Sequence, residues 1–276
     1  MGLQLDLCGS VLSPTSPLVA ALRGILLPGY GNYIATTVVD DHAGEHYLHG
    51  FAQARSRPGA PEQDITFVAP CLSSGNGVIW TWQRLLNQIC SLGRERGIQR
   101  IFVQIAEEHL AEIEVFRQAG FSIYAKDQVL HLQNANALPQ STIATTDLQW
   151  REMRPPDLWA LQKLNSLITP AIVQHAEGTV AGAIGQDSRE TMTASTASNV
   201  VLVSGSQEIL GHLFLRKGRR GDWLKIIMHP DVCDRADSLL SQGIAALGTM
   251  RSARPVYCDV REYEGYVIGA LERMGF

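Results

Sequence analysis

The 276-residue sequence predicts two tandem α/β domains, each a mixed central sheet flanked by helices. Three observations point there. Two stretches repeat one another without a gap at an offset of 155, the order strand, helix, strand, helix recurs in both halves, and 45% hydrophobic residues suffice for two medium cores.

The repeat aligns Gly120 with Gly275. Ile101, Phe102, Val103 and Ile105 then fall on Val256, Tyr257, Cys258 and Val260, Ile113 on Ile268, and Phe116 on Leu271. Upstream, Leu85, Ile89 and Leu92 fall on Leu240, Ile244 and Leu247. Residues 100–106 are rich in β-branched and aromatic side chains, as a buried strand requires. Leu110, Ile113 and Phe116 recur at helical spacing, and Gly120 stands where a helix ends in a left-handed residue. A longer helix is expected from about Trp80 to Arg96, closed by Gly97.

Earlier in the first copy, residues 17–27 read as a short helix, and strands are expected at 32–40, 47–57 and 64–70. The second copy offers a strand at 148–153, a helix over 157–167, and strands near 200–203, 209–215 and 222–229. The Asn-, Ala-, Thr- and Ser-rich stretch 133–147 reads as a linker. The expected domains are 1–132 and 148–276. The first copy continues past Gly-Phe into a strand through Leu132, whereas the second stops at Phe276. The second sheet is therefore expected to be incomplete at the C-terminus, with an open edge that invites self-association.

Several classes are excluded. The net charge of −4 and the absence of a broad basic face argue against a nucleic-acid partner. No apolar run is long enough to span a bilayer, and the first residues lack a signal-peptide pattern, so no membrane partner is expected. Five scattered cysteines without a CxxC suit reduced, buried thiols in a cytoplasmic protein. His42, His46 and His49 with Glu45 straddle a Gly-containing turn, where a solvated hairpin is the simpler reading, and no metal is expected. Arg216–Gly221 reads as a basic hairpin turn, and Gly178–Asn199 as an irregular loop.

The run Gly97-Ile-Gln-Arg-Ile-Phe-Val-Gln-Ile105, followed by Phe116-Arg-Gln-Ala-Gly-Phe-Ser-Ile-Tyr124, resembles the late part of a Gcn5-related N-acetyltransferase (GNAT) domain. The second copy, Arg254-Pro-Val-Tyr-Cys-Asp-Val260 with Leu271-Glu-Arg-Met-Gly-Phe276, is similar. The resemblance implies tandem GNAT-like acyl-CoA N-acyltransferase folds. Its activity would be acyl transfer from acetyl-CoA, as co-substrate, to a small-molecule or peptide amine.

Three parts are then required: a helix N-terminus for the pyrophosphate, a base for the amine, and an acid for the leaving thiolate. The family's Gln/Arg-x-x-Gly-x-Gly/Ala pattern is matched in the first copy by Gly75 and Gly77, although Leu72 replaces the Gln or Arg. A flexible turn and a phosphate cradle are both open readings there. The expected acetyl-CoA contacts are Val68, Ala69, Ser73, Ser74, Gly75, Asn76, Gly77 and Thr81, in a stretch with no acid from Ala69 to Gly93. In the second copy Asp231, Asp234 and Asp237 crowd the equivalent place and disfavour an anion.

The family's usual acid, a Tyr four residues before Gly-Phe, is replaced by Phe116 and Leu271. Nearby candidates are Glu107, Glu108 and His109 in the first copy, and Glu262, Tyr263 and Tyr266 in the second. Acids at a helix start are ordinary dipole partners. Two functions follow: an acyl-CoA-dependent N-acyltransferase acting by direct transfer with the first copy active, or an inactive tandem binding and scaffolding module.

Overall fold

A computed structural model describes residues 2–12, 33–42, 45–57, 59–74, 78–133, 147–178, 197–247 and 254–276. The readings made at 17–27, Gly75–Gly77 and most of 133–147 and 178–199 lie outside these residues. The chain divides into two compact units that change over between Ile123 and Tyr124, with Val11 and Leu12 belonging to the second.

Unit 1 carries strands β1 (Leu3–Gln4), β2 (Tyr33–His42), β3 (Glu45–Ser56), β4 (Glu62–Ala69) and β5 (Arg100–Phe102). The order is β1-β4-β3-β2, with β5 parallel to β4. Helix α1 (Leu7–Leu12) is divided after Ser10 between the units, and unit 1 also carries α2 (Val78–Glu95) and α3 (Leu110–Gln118). Helix α2 exists because Val78, Trp82, Leu85, Leu86 and Ile89 make one apolar stripe, and all five are buried. Trp82 meets Phe116 edge-on at 5.9 Å and donates its indole N–H to the Pro70 carbonyl at 2.7 Å. The expected strand over 100–106 pairs only as far as Phe102.

Unit 2 is a six-stranded sheet in the order β6-β11-β10-β9-β8-β7. Its strands are β6 (Asp127–Leu132), β7 (Leu148–Glu152), β8 (Ala197–Ser204), β9 (Ile209–Arg216), β10 (Asp222–Met228) and β11 (Val256–Arg261). Helices α4 (Asp157–Ile168) and α5 (Ala171–Glu177) follow β7. Helices α6 (Ala236–Ala246) and α7 (Gly265–Arg273) follow β10 and β11. The main core joins Leu213, Leu224, Met228, Leu240, Val267 and Leu271. A second cluster around Leu161, Leu164 and Val201 forms separately. Gly243 permits close approach, since a Cβ there would stand 2.5 Å from Leu213 Cδ1 and 2.6 Å from Trp150 Cε2.

The two copies end their last helices alike. Gly120 and Gly275 have φ of +94° and +93°. Phe121 N–H returns to the Phe116 carbonyl at 3.0 Å, and Phe276 N–H to the Leu271 carbonyl at 3.1 Å. Each pair is the same helix-ending hydrogen bond, which the left-handed glycine makes geometrically accessible.

The expected open edge on the second sheet is overturned. Strand β6 runs antiparallel to β11 in unbroken register from Val256↔Leu132 to Arg261↔Asp127. Two forces explain this: β11 gains backbone partners for an edge that would otherwise be bare, and Leu132 buries itself in the unit 2 core beside Leu130. The reason for expecting self-association through that edge disappears with it. The stretch 121–126, expected to begin the strand, has no regular structure. The cysteines differ too: Cys258 is buried, Cys233 is exposed and the rest are intermediate. The Arg216–Gly221 turn joins antiparallel β9 and β10, as its composition implied.

Candidate functional site

In both units a parallel strand pair separates partway along its length. In unit 1, β4 and β5 pair from Glu62↔Arg100 to Asp64↔Phe102. Beyond that point the β4 edge is taken by the chain's own beginning: Leu3 pairs with Val68, Gln4 with Phe67, and Leu5 N–H donates to the Thr66 carbonyl at 2.9 Å. Val68 and Thr81, two of the expected acetyl-CoA contacts, point their side chains into the core. Thr81 lies against Gly50, where an added Cβ would stand 2.5 Å from its Cγ2. Ala69 ends β4, Ser73 is exposed, and Ser73 and Ser74 share a short 3-10 turn at Leu72–Ser74. Gly75, Asn76 and Gly77 are outside the described residues. Glu107 and Glu108 are exposed on a turn, and His109 stands at the N-cap position of α3 without a side-chain capping hydrogen bond, its Nδ1 3.7 Å from Glu112. The structure brings none of the three into the cavity described next.

In unit 2, β10 and β11 pair from Asp222↔Val256 to Lys225↔Asp259 and then part. Strand β10 continues to Met228 along β9, while β11 continues to Arg261 along β6. Tyr266, on the first turn of α7, reaches across to donate its hydroxyl to the Met228 carbonyl. Beside the parting lies a cavity of about 150 Å³. Its walls include Ile168, Phe214, Ile226 and Ile227 on the apolar side, and Asp127, Glu177, Lys225, Asp259, Arg261, Tyr263 and Glu264 on the polar side.

Alternation along β11 builds the charged wall. Val256, Cys258 and Val260 face the core, which turns Asp259 and Arg261 to the other side. Arg261 is the hub. It pairs with Asp127 at 2.9 Å and with Glu177 at the end of α5, and its guanidinium lies 5.9 Å from the Tyr124 ring centre. Tyr124 also donates to Glu177 at 3.1 Å. Burial works against the Arg261 cation, but Glu177 and Asp127 outweigh it and hold it protonated. Burial, then the Glu177 charge, pushes the Tyr124 phenol up to about 12.

The remaining acids are less settled. Burial raises the Asp259 carboxyl, opposed by Lys225 and by the Trp223 indole N–H at 2.9 Å. Burial pushes Glu264 up to about 7, although the Arg261 backbone N–H donates to its carboxylate. Glu264 is 6% exposed, and its Oε1 has no hydrogen-bond partner among the described residues. Burial also raises Tyr263 and Tyr266.

Of the residues noted in the second copy's sequence, Tyr263 lines the cavity and Glu262 faces solvent. Glu264, Arg261, Asp259, Glu177 and Asp127 were not singled out. The available signal was charge at every second position of an otherwise apolar strand, Asp259 and Arg261, running into Glu264.

At the helix start that follows β10, a 3-10 turn at Pro230–Arg235 precedes α6. Asp231 and Asp234 are exposed there, and Asp237 forms a fork with Arg273 at 2.7 Å. The Asp231 N–H is already given to His229 Nδ1.

No family model matches the chain, and no curated protein matches it. Solved structures do. A GCN5-related N-acetyltransferase from Sphaerobacter thermophilus aligns with a TM-score of 0.57 at 15% identity, over 90% of this chain and 78% of that one. A tandem GNAT protein from the clavulanic acid biosynthesis pathway aligns with a TM-score of 0.51 at 15% identity, over 97% and 88%. A functionally unknown conserved protein from Staphylococcus epidermidis aligns with a TM-score of 0.52 at 12% identity, over 81% and 85%. The chain has the tandem GNAT fold. Among the described residues, no helix is long and apolar enough to cross a membrane.

Proposed function

We propose that the chain is an acyl-CoA-dependent N-acyltransferase whose transferring copy is unit 2. The observation that carries this is the cavity placed where β10 and β11 part, walled by one buried carboxylate, Glu264, and three half-buried ones. A cleft opened by diverging parallel strands exposes unpaired main-chain groups, which a ligand's amides can satisfy. The acids beside it suit a cationic acceptor. This moves transfer away from the first copy, whose equivalent β4 edge is covered by Leu3–Leu5.

In unit 1 the sequence between Ala69 and Gly93 carries no acid to repel an anion. The acid-free stretch of sequence between Ser73 and the start of α2 is the place we propose for a pyrophosphate in that unit. Gly75→Asp with Gly77→Asp should abolish acetyl-CoA binding there.

A second reading, an amine-binding module without transfer, is favoured by Asp231 and Asp234 at the start of α6 and by Leu271 in place of a phenol. The deciding experiment incubates the full chain with acetyl-CoA and a panel of primary amines, following thiol release and product mass. Thiol release above the protein-free rate supports the transferase. Amine binding without release supports the module.

A further inference from the structure

Two cations stand against the four acids around the unit 2 cavity. Arg261 is divided between Asp127 and Glu177, and Lys225 stands with Asp259. The fourth is Glu264, which has only the Arg261 backbone N–H and a share of the Arg261 charge, and whose Oε1 is buried with no hydrogen-bond partner among the described residues. Asp127 Oδ1 also lacks a hydrogen bond but lies 2.9 Å from Arg261 Nη1. A buried carboxylate oxygen left this way loses hydration without compensation. A ligand bearing a positive hydrogen-bond donor would repair both deficits.

We propose that this cavity holds the ammonium head of a small primary alkylamine against Glu264, and that Glu264 is the base that takes a proton from it. The transfer step rests on the function proposed above; the binding does not.

Size and lining define the rest of the ligand. A cavity of about 150 Å³ is of the size that takes a benzene molecule, roughly six non-hydrogen atoms. Ile168, Phe214, Ile226 and Ile227 offer apolar contact to such a body. The chemistry is therefore one ammonium on a short alkyl chain, either a free monoamine or the end of a lysine side chain.

The step balances as follows. Glu264 carboxylate takes one proton from R–NH3⁺, giving R–NH2 and a neutral carboxylic acid. The amine lone pair forms the C–N bond to the thioester carbonyl, and the C–S bond breaks. The nitrogen's second proton goes to the departing thiolate, and Glu264 returns its own to solvent. A carboxyl pushed up to about 7 by burial can hold that proton and release it near neutral pH.

Calorimetry with n-pentylamine on the full chain, without acetyl-CoA, tests the binding, with 1-pentanol as the uncharged control. Pentylamine should bind and pentanol should not. Glu264→Gln should weaken pentylamine about 10- to 100-fold, with Glu264→Asp intermediate. A melting curve of each variant checks folding, and the Asp variant serves if the Gln variant does not fold. Nα-acetyl-lysine methylamide in a parallel titration separates the two sources by which binds more tightly. Equal binding of pentanol, or of pentylamine to wild type and Glu264→Gln, overturns the proposal. In the transfer assay, kcat/KM should rise with pH through an apparent pKa near 7 and lose that step in Glu264→Gln. Glu264-dependent binding with no thiol release sinks the transferase and leaves the ammonium site standing. Thiol release with affinity and rate unchanged in Glu264→Gln does the reverse.

Discussion

Asp127 Oδ1 lies 2.9 Å from Arg261 Nη1, and the two residues are also register partners in the ladder joining β6 to β11. The charge pair and the backbone pairing specify one another. A slip of the strand by one residue would turn Asp127 to the other face and leave Arg261 with Glu177 alone. Asp127→Ala should therefore cost about 2 kcal/mol of unit 2 stability by urea denaturation. It should also loosen Tyr124, read as faster side-chain motion by NMR. Loss of the same energy in a chain already carrying Arg261→Met would show that the pair is not coupled.

The pairing sets where unit 2 can be cut. A fragment of residues 124–276 keeps β6, whereas 148–276 bares β11 and removes Leu132 from the core. The longer fragment should melt cooperatively, and the shorter one should aggregate or melt without a sharp transition. Circular dichroism and sedimentation on the two fragments decide it.

This boundary was not legible in the sequence, and the reason is physical. Leu130 and Leu132 stand two apart, as on any half-buried strand, and that spacing does not encode which sheet accepts the strand. Gly120 and Gly275 were legible because helix termination is local: a left-handed residue is needed, and glycine supplies it without steric cost. Glu264 was missed for a related reason. An acid opening a helix is ordinary in sequence, and only the packing of β11, α7 and α5 around Arg261 makes this one buried.

Stability should depend on pH through Glu264. Its folded value, about 7, is above the usual 4.5, so between these limits the native state holds more protons than the unfolded one. Stability is fully present below about 4.5 and falls as pH rises to about 7. Asp259, raised as well, adds in the same direction. Glu264→Gln should flatten the fall and make the protein more stable than wild type at pH 8, by melting temperature. A steeper fall in the variant would exclude Glu264 as the source.

Removing residues 2–5 should expose the β4 edge at Thr66–Val68. Hydrogen exchange at the Val68 amide, which faces β1, should accelerate, with unit 2 amides unchanged. Acetyl-CoA affinity in unit 1 should rise if the covered edge is what blocks it, and calorimetry on the shortened chain measures this. Unchanged exchange at Val68 would mean that Leu3 and Gln4 do not protect this edge in solution.

Trp82 gives a separate measure of unit 1. Trp82→Phe keeps the aromatic contact with Phe116 but strands the Pro70 carbonyl, at a cost of about 1–3 kcal/mol. Trp82→Ala should cost more, about 3–5 kcal/mol, because a cavity is added. Urea midpoints rank the two.

Strand β6 also orders events in time. It leaves the ribosome well before β11 has been synthesised, and at about 5–20 residues per second the delay is on the order of ten seconds. Unit 1 has every strand of its own sheet by Phe102 and can fold meanwhile. Throughout that interval β6 is a finished strand without its native neighbour, tethered to a folded domain. Nascent chains stalled between Leu132 and Val256 are thus the form of this protein most exposed to mispairing and most dependent on chaperones.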